Sequence, residues 1–381
     1  MSASPSRSHR RRDQENLAPA ETLKRTRESP AAFGWGPPQK QTKTDPLVGH
    51  GRHFGRTIRT FCRVHTLITN GLTRTMQLEL ERITEEDLTP GELSKHRMYQ
   101  ALLLLSPGLE ERLNTGSEQD IHYVADMIMK GISTARSDDT KSLKSAVVDW
   151  ITPPKEVLYP PIQRNIKADR GFHHSRTGEL LCPVNLDWND DKIRRDLESG
   201  NLVPSGDLWP QFLYRNYEYN CKDPWDGLMR SSLLVKAFKH VFTSPSSVLS
   251  SPGKATRSSN ARIHGMTMVT APSLAYIATQ VCFALSSSPV FSRTDTVTDS
   301  EFFYNLVVDL LEDESEREEV SDLMKWWNRQ VFPTHTNHAR SVHQDSVSAK
   351  IKERRRLINS GQWNESRGSQ AVGSSTPATQ A

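Results

Sequence analysis

Cysteine is scarce in this sequence of 381 residues, and it follows no disulfide or metal-binding pattern. Cys62, Cys182, Cys221 and Cys282 stand far apart and form no Cys-x-x-Cys pair. Scattered thiols are typical of a reducing compartment, and they argue against a disulfide framework or a structural zinc site. We therefore expect an intracellular protein with no metal site and no cofactor.

Long apolar runs are also missing. The longest aliphatic run, Ala101 to Leu105, is far shorter than the roughly 20 apolar residues that cross a bilayer. The opening MSASPSRSHRRR has no apolar stretch behind its charges, so no secretory signal is expected. We expect no membrane partner.

Acidic side chains are absent from Gly227 to Thr294, a stretch of 68 residues that holds seven Lys or Arg. At the usual charged content of about 25%, roughly eight acids would be expected there. Eleven acids and a single base follow between Asp295 and Asp322. Either the basic stretch pairs with the acidic helices after it, or it forms a surface that binds anions.

A polar loop inside the acid-free stretch, Ser250 to His264, has the chemistry of an anion site. Small residues let backbone N–H groups approach an anion, and basic side chains add charge-assisted donors. Arg257 and Arg262 have the fork geometry that holds a phosphate bidentately. The spacing matches no phosphate-loop motif. The candidate residues are Lys254, Arg257, Asn260, Arg262 and His264.

Positive charge is concentrated at the two ends of the chain. Residues 1–56 carry 11 basic and 5 acidic side chains, residues 335–381 carry 7 and 3, and the body carries 31 and 37. A mildly acidic body is not typical of a domain that wraps nucleic acid. The terminal clusters are either solvated tails or nuclear import signals, which also bind nucleic acid non-specifically. The import-signal candidates are Arg10, Arg11, Arg12, Lys24, Arg25, Arg354, Arg355 and Arg356.

Helix signals dominate the body, so the predicted fold is mainly α, an irregular multi-helix bundle. Apolar side chains recur every three or four residues from Thr57 to Ile83, which predicts one amphipathic helix. Ser117 starts a helix, and a further one ends at Trp150. Asp223-Pro224-Trp225-Asp226 predicts a helix start. Ala271 to Leu285 is apolar nearly all round, which predicts a buried central helix.

The predicted organisation has two basic tails and a body between them. Residues 1–50 and 334–381 are expected to be disordered, the second with a basic helix near Val347 to Ile358. The body consists of an N-terminal helical lobe (51–151), an irregular Pro-rich connection (152–187) and a C-terminal helical lobe (188–333). The alternative is one body with the connection packed across it. At most a short β-hairpin is expected, at Gly171 to Leu181.

Several strings in the second half resemble an uncharacterised family of mushroom-forming basidiomycete fungi. They include GELLCP at 178–183, DPWDGLMRSSLLVKAFKHVFTSPSS at 223–247 and KATRSSNARIHGM at 254–266. The resemblance covers roughly residues 50–335. Because the family has no known function, the resemblance implies no catalytic or binding residue. Some multi-copy fungal families accompany mobile elements, and this analogy favours a nuclear role.

The sequence predicts a binding or accessory protein, in the nucleus rather than the cytoplasm. It would contact nucleic acid or another polyanion through the basic loop and tails, and a protein partner through apolar helices. One alternative is a protein-interaction scaffold that does not bind nucleic acid. Another is a hydrolase or nuclease with His264 as general base and Arg257 and Arg262 as electrostatic stabilisers. No hydrolase, nucleotide-binding or zinc-protease motif occurs, so binding is expected rather than catalysis.

Overall fold

The computed structural model describes residues 45–248, 258–291, 299–333 and 346–359. Thirteen α-helices lie in these ranges: α1 Pro46–Thr57, α2 Val64–Glu79, α3 Pro90–Leu105, α4 Leu109–Thr115, α5 Glu118–Ile151, α6 Ser175–Leu181, α7 Asp191–Ser199, α8 Ser232–Phe238, α9 Asn260–Ile263, α10 Ala271–Leu285, α11 Ser300–Glu312, α12 Arg317–Val331 and α13 Val347–Asn359. A π-helical segment, Lys239–Thr243, continues α8.

Shorter 3₁₀ segments connect several of these helices. They are Glu85–Asp87, Gly171–His173, Gln211–Leu213, Arg215–Tyr217, Pro245–Val248 and Glu314–Glu316. The described ranges contain no strand, only an isolated antiparallel bridge between Pro183 and Pro210. The prediction of a mainly α multi-helix fold is confirmed. Within these same ranges, no helix is long and apolar enough to cross a membrane.

Helix α5 connects the two clusters of buried apolar side chains. Its 34 residues extend for about 50 Å at 1.5 Å per residue. Val124, Ile128 and Ile132 in its first half pack with α1 to α4. Leu143 and Val147 in its second half belong to the larger cluster, which also contains α8, α10, α11 and α12. A single helix therefore supplies side chains to both clusters.

Helices α1 and α5 approach each other through glycine. A Cβ atom added at Gly51 would lie 2.3 Å from the carbonyl oxygen of Ile128, and one added at Gly131 would lie 2.3 Å from that of Val48. Both obstacles are backbone atoms, which cannot rotate away. The contact therefore requires a residue without a side chain on each helix.

Helix α10 is the buried helix that the sequence predicts. Thr270 caps it, Pro272 lies in its first turn, and 12 of its 15 residues are buried. Its carboxyl end meets two buried cations from the Pro-rich segment. Arg170 Nη1 donates to the carbonyl of Ala284 at 2.8 Å, and Lys167 Nζ donates to that of Phe283. Cations stabilise this end because helix carbonyls there lack partners and carry partial negative charge.

The β-hairpin predicted at Gly171 to Leu181 is wrong, because this segment forms α6. His174 caps the helix by accepting a hydrogen bond from the Arg176 amide at 3.0 Å. Gly178 is a packing residue rather than a turn residue, since a Cβ atom there would lie 2.2 Å from the indole ring of Trp188.

Three predicted helix boundaries also differ from the structure. The helix predicted over residues 57–83 is not continuous, because the chain between α1 and α2 is not helical. In this connection Phe61 is buried in the larger cluster, and its ring centroid lies 5.3 Å from that of Tyr304. The two helices predicted between residues 117 and 150 are the single helix α5. The helix predicted from Asp223 begins only at Ser232, because Gly227 and Met229 have positive φ angles of 78° and 56°.

The predicted tails lie mostly outside the described residues. At the N-terminal side, α1 begins at Pro46, inside the segment predicted to be disordered, because Asp45 accepts a hydrogen bond from the Leu47 amide at 2.8 Å and caps the helix. At the C-terminal side, α13 agrees with the predicted basic helix. The division of the body into two lobes and a connection stays a prediction.

Candidate polyanion-binding surface

The predicted anion-binding residues fall into two groups. Lys254 and Arg257 lie outside the described residues. Asn260, Arg262 and His264 lie on α9 or directly after it. Asn260 is structural, since its side-chain amide donates to the carbonyl of Val241 at 2.5 Å and fixes α9 against the π-helical segment. Arg262 is exposed, and no described residue pairs with its guanidinium.

His264 stacks on a histidine from the other end of the chain. Its ring lies 4.4 Å from that of His53 on α1, at an interplanar angle of 13°. Burial, then the nearby His264, Arg56 and His50, lower the pKa of His53 to about 4. Burial, then Arg56, His50 and Arg52, lower the pKa of His264 as well. Both imidazoles are therefore neutral near pH 7.

Basic side chains surround His264. Besides burial, Arg56, His50 and Arg52 each lower its pKa, and none of the described carboxylates raises it. The hydrolase or nuclease alternative needs an acidic partner or a metal-ligand set beside His264. The ring instead contacts another imidazole, and the described residues contain no group of three or more His, Cys, Asp or Glu side chains that could hold a metal ion.

Beneath this surface, Arg56 and Asp139 form a buried ion pair. The Arg56 Nε and Nη2 atoms donate to the two carboxylate oxygens of Asp139 at 2.7 and 2.8 Å. The Tyr276 hydroxyl donates to the same carboxylate at 2.6 Å. Burial alone would lower the pKa of Arg56, but the hydrogen bonds and charge of Asp139 raise it above its usual value. Full burial raises the pKa of Tyr276 well above its usual value, so the hydroxyl keeps its proton.

A second and more exposed ion pair joins the same two helices, one turn of α1 away from the first. Arg52 Nη2 donates to Asp138 at 2.8 Å, with both side chains partly exposed. Two arginines four residues apart on α1 thus bind two consecutive aspartates on α5. None of these four residues was predicted to belong to a site. The available signal was the Arg52/Arg56 spacing, which places both guanidinium groups on one face of a helix.

Several acidic residues that follow the basic stretch pair with residues outside that stretch. Asp322 pairs with Lys325 at 3.0 Å and Glu314 with Arg317 at 2.7 Å, while Glu316 accepts a hydrogen bond from the Trp225 indole at 2.7 Å. Among the described residues of 227–291 and 299–322, no ion pair joins the two stretches. Arg230 lies close to the acidic helix α12: its guanidinium is 5.9 Å from the ring centroid of Trp326. Lys325 first, and Arg230 to a smaller extent, lower the pKa of Asp322.

Lys236 and Lys239 complete the described part of the basic stretch. Both are partly exposed, and neither ammonium group has a partner within the ranges that the structure covers. Lys239 lies in the π-helical segment to which Asn260 ties α9. We call Arg52, Lys239, Arg262 and His264 the α9 surface.

Comparison with known proteins assigns a family but no activity. Residues 130–332 match DUF6698, a family of unknown function. The matched range contains Asp139, Arg262, His264 and Tyr276, and it leaves out α1 with its His53 and Arg56. No curated protein and no solved structure matches the chain.

Proposed function

The chain belongs to DUF6698, a family of unknown function, and we propose that it binds nucleic acid or another polyanion through the α9 surface. The proposal depends on one observation: among the described cations of the acid-free stretch, Lys236, Lys239 and Arg262 form no ion pair with the described acidic residues that follow. Phosphate contacts from Lys and Arg supply most of the affinity of non-specific nucleic-acid binding. Arg262 is the leading contact, because it is exposed and lies on a helix fixed by two neighbours.

The geometry around Arg262 favours binding to an extended anion. Asn260 holds α9 against the π-helical segment, and the stacking of His264 on His53 holds the residue after α9 against α1. The position of α9 is therefore fixed before an anion binds. Of the other cations, Arg52 forms a partly exposed ion pair with Asp138, whereas Lys239 has no described partner. Such an open arrangement suits a polymer backbone better than an enclosed small ligand.

The test measures the affinity for a single-stranded and a double-stranded oligonucleotide over a range of salt concentrations. The double variant Lys239→Gln/Arg262→Gln removes two cations from the α9 surface. We expect weaker binding and a salt dependence shallower by about one to two ions, because each lost phosphate contact releases about one fewer counterion.

The control double variant is Arg317→Gln/Lys325→Gln on α12. These two cations are exposed, and the change in net charge is the same. Equal affinities and equal salt slopes in the two double variants would show that the α9 surface takes no part in binding.

We also propose a nuclear location and assign import to the basic clusters at 10–12, 24–25 and 354–356. Only the last cluster is described, and it lies exposed on α13. Imaging a fluorescent fusion of the full chain distinguishes the nucleus from the cytoplasm.

A scaffold that binds a protein partner and no nucleic acid is the second candidate. The observation that favours it is the apolar stripe of α13, where Val347, Ile351 and Ile358 are exposed and share one helical face. In the same oligonucleotide assay, this candidate requires that the unmodified chain binds neither probe at any salt concentration.

A further inference from the structure

A groove runs along one face of α3 and shares no lining residue with the α9 surface. It consists of three adjoining cavities of ≈ 570, 440 and 280 Å³. Met98 lines all three cavities, and Arg59 and Lys95 each line two, so the space is continuous. Its walls are α3, the connection between α1 and α2, the first two turns of α2, Pro272 of α10 and the carboxyl end of α11. We call it the α3 groove.

Charged side chains of both signs line the α3 groove, and one of its three cavities is lined by cations alone among the charged residues. Arg59, Arg63 and Lys95 line the smallest cavity, which has no acidic lining residue. Asp309, Glu312 and Asp313 line the other end, the acidic end, together with Arg59 and Lys95. Within the described ranges, no ion pair involves any of these six side chains. Exposed charges elsewhere do pair, as Arg215 does with Asp226 at 2.9 Å. Arg59 and Glu312 therefore attract each other without forming an ion pair, whereas Arg63 lines a cavity that has no acidic side chain.

The basic end is organised before any ligand arrives. The Arg59 Nη2 atom donates to the side-chain oxygen of Asn305 at 2.7 Å, and the guanidinium lies 5.4 Å from the ring centroid of Tyr304. Fixing this long side chain in advance reduces the entropy lost on binding. Thr66 and Asn70 add polar groups to the same cavity, and Leu67 and Met98 give it an apolar floor.

The acidic end contains a carboxyl group with an altered proton affinity. The Glu312 side chain remains accessible to solvent, but the surrounding groove walls bury it enough to raise its pKa. Asp309 raises the pKa further, while Arg59 and Arg97 oppose the rise. Carboxyl groups whose pKa is shifted by burial in a cleft occur preferentially at functional sites.

We propose that the α3 groove binds a small phosphorylated ligand of the nucleotide class. Arg59, Arg63 and Lys95 would hold the phosphate, since guanidinium and ammonium groups are the usual phosphate ligands. Asp309 and Glu312 would accept hydrogen bonds from the sugar hydroxyls. The apolar wall of the largest cavity, which includes Ile58 and Leu93, would pack against the base.

The test measures binding of AMP, GMP, CMP, UMP, adenosine and inorganic phosphate to the full chain by calorimetry and ligand-observed NMR. We expect at least one mononucleotide to bind more tightly than inorganic phosphate, and adenosine to bind most weakly. No detectable binding of any mononucleotide at millimolar concentration would overturn the proposal. Equal affinity for the nucleotides and for inorganic phosphate would overturn the nucleotide class.

Two variants separate the ends of the groove. Arg63→Gln/Lys95→Gln changes two exposed cations and should weaken mononucleotide binding about tenfold or more, because charge-assisted hydrogen bonds are lost. Glu312→Gln should weaken nucleotide binding several-fold but should not weaken inorganic phosphate binding, because it removes a negative charge near Arg59. The control, Lys192→Gln/Arg195→Gln on α7, makes the same charge change away from the groove and should bind as the unmodified chain does. Equal nucleotide affinity in Arg63→Gln/Lys95→Gln and in this control would contradict the proposal.

The two proposed sites are tested independently. Oligonucleotide affinity measured in Arg63→Gln/Lys95→Gln should match that of its control, and mononucleotide affinity should persist in Lys239→Gln/Arg262→Gln. If the groove variant loses oligonucleotide affinity as well, the groove belongs to the polyanion surface and is not a separate site.

Discussion

The His53 imidazole lies in an environment where a bound proton is costly. It is 8% exposed, it stacks on a second imidazole, and Arg56 and His50 add positive charge nearby. Its pKa is lowered from 6.5 to about 4. The unfolded chain therefore takes up this proton at a higher pH than the folded chain does.

We expect the free energy of unfolding to depend on pH through His53. The contribution of a depressed histidine pKa is fully present above the unfolded pKa of about 6.5, and it declines as the pH falls toward about 4. At pH 4 the loss would reach about 3 kcal/mol. Urea unfolding at several pH values measures it, and His53→Phe, which keeps an aromatic ring on His264, should flatten the decline. An NMR titration that places the His53 midpoint near 6.5 would contradict this expectation.

Individual site residues were only partly predictable from the sequence. The exposed position of Arg262 agrees with its place in a polar, acid-free stretch. The structural use of Asn260 and the His53–His264 stack depend on which helices become neighbours, and local composition does not carry that information. The Arg56–Asp139 pair was missed because a buried ion pair looks like two ordinary surface charges in sequence.

At the scale of elements, the crossing of α1 and α5 is the most restrictive contact. Gly51→Ala would place a methyl group 2.3 Å from the Ile128 carbonyl oxygen, so one helix must move away from the other. We expect a loss of about 3 kcal/mol or more in the free energy of unfolding. Chemical denaturation measures this loss.

The same helix supplies the matched control. Gly49 has no atom within 4 Å of an added Cβ atom, so Gly49→Ala should stabilise α1 by about 0.5–1 kcal/mol through helix propensity alone. If both substitutions changed stability equally, the close approach at Gly51 would not hold in solution.

Helix starts were predictable where local signals decide them. Ser117 caps α5, and the helix predicted from Ala271 begins at that residue as α10. The middle of α5 was missed because its apolar periodicity stops between Ile132 and Leu143. There the helix faces polar partners: Asp139 binds Arg56, and the Thr140 hydroxyl donates to Gln280 at 2.9 Å. Tertiary contacts replaced the pattern on which the helix prediction relied.

At the scale of the whole molecule, Asp139 links the two clusters of buried side chains. Asp139 lies on α5 and binds one residue from each side. Arg56 is on α1, a helix whose Leu47 and Phe54 belong to the smaller cluster, and Tyr276 on α10 belongs to the larger cluster. Removing one partner of a buried ion pair leaves an uncompensated charge and typically costs about 3–5 kcal/mol.

Asp139→Asn should therefore destabilise the protein by about 3 kcal/mol or more and reduce the coupling between the clusters. Thermal unfolding followed by calorimetry should show a broader or split transition. Asp138→Asn removes the neighbouring exposed pair and should cost no more than about 1 kcal/mol. Equal effects of the two substitutions would refute the special role of the buried pair.

The length of α5 limits how related chains can vary. Each residue added to or removed from an α-helix rotates everything beyond it by about 100° and shifts it by about 1.5 Å. In α5, such a change between Ile132 and Leu143 would turn the side chains of one cluster away from their partners while leaving the other cluster in place. We therefore expect insertions and deletions among relatives to fall in the connections, and the spacing from Gly131 to Leu143 to be constant.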